Sequence, residues 1–253
     1  MEFEKMDPIY REKHFPQSSV FERAAKKNRS SSIVLIVFLL LLSAVFIAGG
    51  VYFISLIRYH MEQGNSESVT IGYGFLAVAA LLLLLCILGI VFLAKGLGKG
   101  VDAVIRASAK ASGLSEGELR EFDRQAMDSD CYILKLQSAV SAAVSGQSDG
   151  LLTRDYLWLG DLQPRVLKRT DIAGACLYEW SYRVNKKRIY CLSISVVNRQ
   201  NLAVTAEASS ERGRALLSLL KDAHPHILVP DGILREGKEY DTWRKEACSA
   251  AAQ

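Results

Sequence analysis

Histidine, cysteine and clustered charge are the residue types that could do chemistry in this chain, and their spacing decides which chemistry is open. The four histidines are His14, His60, His224 and His226. His14 and His60 lie in segments predicted on opposite sides of a membrane, so they share no site. His224 and His226 flank Pro225, yet a zinc site needs further ligands that the sequence does not place nearby. They read as helix-end histidines facing carbonyl dipoles. The five cysteines, Cys86, Cys131, Cys176, Cys191 and Cys248, form no CxxC or Cys/His spacing and suit a reducing compartment better than a disulfide scaffold. The run G-L-G-K-G from Gly96 to Gly100 lacks the GK[ST] ending, the spacing and the preceding strand of a phosphate loop. No GxSxG elbow occurs, and the carboxylates are too scattered to pair as acid and base. No catalytic, cofactor-binding or metal-ligating residue is assigned, no cofactor is expected, and the chain is expected not to be an enzyme.

One concentration of charge remains. Arg183, Lys186, Lys187 and Arg188 crowd the tip of a predicted hairpin, and Arg165, Lys168 and Arg169 stand on a neighbouring strand. Facing a bilayer, such a group would contact anionic lipid phosphates, at about 1 kcal/mol per residue near the surface. The plainer alternative is a solvated turn, since charged turns are common. Nucleic acid is not expected as a partner, because the net charge is only +4 and much of the basic excess serves membrane topology.

These residues must be positioned by two unlike parts of the chain. Residues 33–57 and 69–94 contain no charged side chain, and each run exceeds the roughly 20 residues needed to cross a bilayer. Both are therefore expected to span, as transmembrane helices joined by a short loop over 58–68. A cleaved signal peptide is disfavoured by the long polar segment before the first run, by a run too long for an h-region and by the lack of a convincing A-x-A cleavage site after it. The loop carries one Lys/Arg, whereas Arg23, Lys26, Lys27 and Arg29 precede the first span and Lys95, Lys99, Arg106 and Lys110 follow the second. The positive-inside rule then places both termini in the cytoplasm. Neither span holds Asp, Glu, Lys, Arg or His, which disfavours transport by this chain alone. Gly49, Gly50, Gly72 and Gly74 are candidate helix contacts.

Residues 1–32 read as a mobile cytoplasmic tail, and 95–150 as a helical juxtamembrane region. Within the latter, Val101, Val104, Ile105 and Ser108 share one side of a short helix that could lie on the membrane surface. Ser115-x-x-Glu118 is a capping box. Ile133, Leu136, Val140 and Val144 recur at helical spacing, although a strand also fits part of 131–145. From Leu151 short β-like runs follow, over 156–159, 165–168, 172–184 and 188–198, with a third meander strand through Leu202, Val204 and Ala206. If one sheet face is apolar, parity calls for an odd loop at Asn185–Lys187, or an even one with a bulge, which pairs Trp180 with Leu192 and puts Cys176 and Cys191 on opposite faces. Ser209 caps a helix with Leu216, Leu219, Leu220 and Ala223 on one stripe. Residues 233–253 read as a loosely attached polar tail.

The runs L-T-R-D-Y-L-W-L and K-R-T-D-I-A-G-A-C-L-Y, a meander, and a closing S-S-E-R-G-R-A-L-L-S-L-L helix ending in H-P-H-I resemble the PH-like domains of poorly characterised bacterial membrane proteins with two membrane helices. The resemblance covers residues 151–232. It implies a membrane α-helical hairpin plus an α+β soluble domain, a PH-like antiparallel meander closed by a C-terminal helix at the cytoplasmic face of the inner (plasma) membrane. Fold does not name function. The expected role is a membrane-anchored interaction module whose partners are the lipid bilayer and either a protein or an anionic lipid. An accessory subunit of a transport or secretion complex, and a membrane enzyme acting on lipid or peptide, are the rivals.

Overall fold

The computed structural model describes residues 3–97, 100–137, 148–161 and 164–250. In chain order the elements are β1 (Glu4–Lys5), α1 (Pro8–His14), α2 (Val20–Glu62), α3 (Ser66–Leu97), α4 (Val101–Ser112), α5 (Glu116–Ala126), β2 (Tyr132–Leu134), β3 (Gly150–Leu152), β4 (Tyr156–Trp158), β5 (Val166–Lys168), β6 (Ile172–Val184), β7 (Lys187–Asn198), β8 (Ala203–Glu207), α6 (Ser210–Ala223), β9 (Leu234–Arg235) and α7 (Lys238–Ala250). They form two compact units: Ala25–Gly100, and the residues on either side of it.

The first unit is an antiparallel pair of helices, α2 and α3, reversed at Gly64 with φ +69°. Both are long and apolar enough to cross a membrane, and only 6% of the most apolar window of each is buried. A core helix of a globular protein would be mostly buried, so these side chains face outward. Within the first apolar run the two serine hydroxyls are satisfied inside their own helix, Ser43 donating to the Leu39 carbonyl at 2.7 Å and Ser55 to the Val51 carbonyl at 3.1 Å, as an apolar surround requires. The pair meets where Phe53 stacks on Phe75 at 5.2 Å and where Gly72 and Gly89 receive Ile57 and Leu39. Of the glycines expected at contacts, Gly49 and Gly74 have nothing within 4 Å of a notional Cβ, while Gly89 was not anticipated.

The second unit is α+β. Sheet one is an antiparallel ribbon in the order β1-β2-β3-β4-β5, and sheet two has the order β8-β7-β6-β9. Alternation along sheet one sends Leu134, Leu152, Leu157 and Leu167 into a core shared with Leu177, Ile194 and Val196 of sheet two and with Leu216 and Leu220 of α6. The opposite residues, Ile133, Leu151, Tyr156, Trp158 and Val166, meet α4, α5 and the N-terminal segment in a second core. Both faces of β3 and β4 at the centre of sheet one are buried, so these strands read as continuous apolar runs rather than as an alternation. The capping box forms as expected, with the Glu118 amide donating to Ser115 Oγ and the Ser115 amide to Glu118 Oε2. Ser209 likewise caps α6.

Three expectations are corrected and one open alternative is resolved. Residues 3–24 are not a mobile tail: β1 pairs with β2, and Met6, Phe15, Val20 and Phe21 are buried in the second core. The apolar side of α4 does not rest on a membrane, because Ile105, Ser108 and Ser112 are buried against the same core. Residues 132–134, for which helix and strand both stood open, are strand, while 138–147, including Val140 and Val144, lie outside the described residues. The C-terminal residues are not a loose tail. Helix α7 buries Trp243 and Ala247 against Ala173, Cys176 and Val197 on the outer face of sheet two. Gly174 makes this docking possible: a Cβ there would lie 2.8 Å from Ala247 Cβ and 2.9 Å from the Leu228 carbonyl.

The start of α2 is fixed by a buried carboxylate from α5. The Asp123 carboxylate accepts from the Ser19 hydroxyl and from the Val20 amide, each at 2.6 Å. Burial raises the Asp123 carboxyl above its usual range against these bonds. With the folded value raised, the stability this group contributes is present below its unfolded pKa and is lost as pH rises through the folded one. Asp123→Asn, which keeps an acceptor without the charge, is therefore expected to be at least as stable as the native chain at pH 7, its advantage shrinking as pH falls through the carboxylate range. Asp123→Ala is expected to lose about 1–3 kcal/mol by orphaning two donors. Urea titrations of the detergent-solubilised chain at several pH values check both.

Candidate interaction surface

The basic residues singled out in the sequence do not form one group. Arg165, Lys168 and Arg169 belong to the β5 region of sheet one, whereas Arg183, Lys186, Lys187 and Arg188 stand on sheet two. The first three are engaged inside the fold. Arg165 Nε donates to Asp161 at 2.8 Å, whose carboxyl is raised chiefly by burial. Lys168 Nζ donates to Glu118 at 3.1 Å, tying β5 to the first turn of α5. Arg169 donates to the Thr153 and Arg154 carbonyls at 3.0 Å and to His224 Nε2 at 3.3 Å, so it closes the β3–β4 turn onto the end of α6. Burial and the neighbouring Arg169 lower the His224 pKa. Charge alone could not show which cations had internal acceptors.

The remaining four stand on a bare arm. β8 pairs with β7 only at Ser193–Val197, and β9 with β6 only at Tyr178 and Glu179. Among the described residues the two strands have only each other from Trp180 to Cys191, and the arm extends about 15 Å past the neighbouring strands at the usual rise per residue. Its turn is Asn185-Lys186, with φ values of +48° and +67°, both positive as a type I′ hairpin turn requires. Lysine in place of the glycine usually favoured there costs about 1 kcal/mol, so a cation is held at the tip against backbone preference.

The register overturns the odd-loop expectation. The turn has two residues, and Trp180 pairs with Cys191, Ser181 with Tyr190 and Tyr182 with Ile189; the one irregularity, at Ile172–Gly174, lies far from the turn. The parity argument assumed that one face of the sheet is wet, and α7 removes that assumption near the base. Cys176 and Cys191 consequently share a face rather than opposing one, yet both thiols are free. On the arm, one face carries Trp180, Tyr182, Val184, Lys187, Ile189 and Cys191, and the other Ser181, Arg183, Arg188 and Tyr190. Tyr190 is 61% exposed, and Tyr182, Val184 and Ile189 are exposed too. Trp180 is the footing: its indole N–H donates to Ser193 Oγ at 2.9 Å and its ring lies 5.5 Å from that of Tyr182.

Electrostatically the arm is one-signed. Arg183 and Arg188 are directly opposite each other, an arrangement that like charges disfavour. Among the described residues none of Arg183, Lys186, Lys187 and Arg188 takes part in an ion pair; Arg188 only lies 5.9 Å from the Tyr190 ring centre. No carboxylate occurs between Glu179 and Glu207.

Elsewhere the chemistry is structural. Burial pushes the Cys131 and Cys176 thiols up to about 12, which keeps them protonated near neutral pH and poorly nucleophilic. Tyr10 is raised by burial and by donating to Asp149 at 2.5 Å. Among the described residues no three His, Cys, Asp or Glu side chains are grouped to hold a metal ion. Comparison with protein-family models, with curated proteins and with solved structures found no match to this chain.

Proposed function

We propose that this chain is a membrane-anchored, non-enzymatic interaction module: α2 and α3 hold it in the inner (plasma) membrane, and a PH-like α+β unit is presented at the cytoplasmic face. The PH-like reading draws on two antiparallel runs, β2 to β5 and β6 to β8, followed by α6, whose Leu216 and Leu220 enter the core between the sheets.

The observation that carries the reading is a core built from both flanks of the helical hairpin. Met6, Phe15 and Phe21 pack with Leu119, Phe122 and Ile133. A protein that crossed the bilayer an odd number of times would strand these groups on opposite sides. Two crossings, or none, are compatible with the core, and the outward apolar surface of α2 and α3 favours two. The lysines and arginines flanking the spans favour the cytoplasmic side for that core.

The experiment is thiol accessibility in intact cells, with an impermeant reagent, of a Ser66→Cys probe in the α2–α3 turn and of native Cys248, against a permeabilised control. Labelling at Ser66→Cys before permeabilisation and at Cys248 only after it is the expected result. Labelling of Cys248 in intact cells would reverse the orientation, and labelling of neither would remove the hairpin from the membrane.

A further inference from the structure

We propose that the β6–β7 arm, from Trp180 to Cys191, docks on the anionic phospholipid surface of the bilayer that carries the chain, with Tyr182, Val184 and Ile189 entering the interface and Arg183, Lys186, Lys187 and Arg188 meeting lipid phosphates. This rests on the membrane-anchored reading and adds the partner of the exposed arm.

Two features of the arm point the same way. The first is its chemistry. Tyrosine and tryptophan, with an apolar body and a polar edge, are the side chains that prefer the head-group level, and here they alternate with basic residues on a ribbon whose apolar members Tyr182, Val184 and Ile189 are exposed. The second is charge that the fold leaves uncompensated. Arg183 and Arg188 face each other and Lys186 occupies a left-handed turn position, and among the described residues none of the arm's cations has an ion-pair partner. Arg165, Lys168 and Arg169, by contrast, are all engaged internally. An anionic surface complements this arrangement, and connectivity keeps one near: roughly 20 Å of helix separate buried Val20 from Ile33 at the start of the first apolar run.

Each basic residue near an anionic surface is worth about a fivefold gain in partitioning, so neutralising all four is expected to reduce docking at least tenfold. The test uses the full chain in lipid nanodiscs, with Cys191→Ser and Cys248→Ser and a solvatochromic probe on Val184→Cys. In discs containing phosphatidylglycerol the probe is expected to emit to the blue and to be quenched by lipid-borne nitroxides. In pure phosphatidylcholine discs, in high salt, or with Arg183, Lys186, Lys187 and Arg188 all changed to Gln, it is expected to report water. Retained slow labelling of buried Cys176 shows that the Gln variant is folded. A probe that reports water in every disc overturns the proposal, as does burial that is indifferent to lipid charge and salt. An arm that crosslinks to a protein in native membranes without any lipid response overturns it too, while leaving the interaction module standing. Failure of the anchored reading itself is recognised separately, by the Ser66→Cys labelling.

Discussion

Replacing Phe21 with alanine is expected to cost the α+β unit about 3–5 kcal/mol, the usual loss for a fully buried phenylalanine. Phe21 is 0% exposed, and its ring meets Phe122 edge-on at 6.1 Å, which in turn meets Tyr156 at 6.1 Å. The substitution thus opens a cavity between the first turn of α2, α5 and sheet one. Denaturant titration of the detergent-solubilised chain, followed by near-UV circular dichroism, reads the loss. Ile9→Ala serves as the control, because Ile9 is 79% exposed and surface changes of this kind stay within about 0.5 kcal/mol. A loss at Phe21 no larger than at Ile9 would mean that the N-terminal segment does not belong to the core, and the argument for paired crossings would fall with it.

Trp243→Ala is expected to have a similar cost, about 3–5 kcal/mol, with a different local signature. Trp243 is 4% exposed and lies in the cluster that covers Cys176, Ala173 and Val197. Beside it, Tyr240 shares a hydrogen bond of 2.8 Å with Ser195 on the sheet, and Arg244 donates to the Asn201 carbonyl and side chain. These polar ties hold the rim of α7, while the indole fills its centre. Losing the indole loosens the helix and uncovers the sheet, so the buried Cys176 thiol is expected to label much faster than in the native chain at sub-denaturing urea. Unchanged labelling of Cys176 together with unchanged stability would show that α7 is dispensable.

Much of the local architecture was legible because it depends on neighbours in sequence. Ser115 and Glu118 sit three residues apart and make their box without help from elsewhere; Ser209 caps α6 in the same way. The turn at Asn185 was located correctly, but its length was not. Deciding between two and three residues required knowing whether the second sheet face was wet, and that depended on Trp243, about 60 residues further along the chain. The candidate site divides along the same line. The four cations at the hairpin tip were recognisable from their crowding, whereas Arg165, Lys168 and Arg169 looked equivalent to them until Asp161, Glu118 and the Thr153 carbonyl were found beside them. Tyr182, Val184, Ile189 and Tyr190 carried no mark as an exposed group, since alternating apolar residues usually announce a core.

By itself the amino-acid sequence determined the two bilayer-length apolar helices, the succession of strands, turns and capped helices, and the clustering of charge at one turn. Hydropathy, period and capping act over a few residues, and a linear reading captures them. Only the tertiary structure decided that residues 3–24 complete a core begun after residue 100, that α7 covers the back of sheet two, and that the end of the β6–β7 hairpin stands exposed with its cations in no ion pair among the described residues. Each of these depends on groups far apart in the chain meeting or failing to meet, as Val20 meets Asp123 and Gly174 meets Ala247. Burial and charge compensation are properties of that meeting, and a residue's type does not carry them.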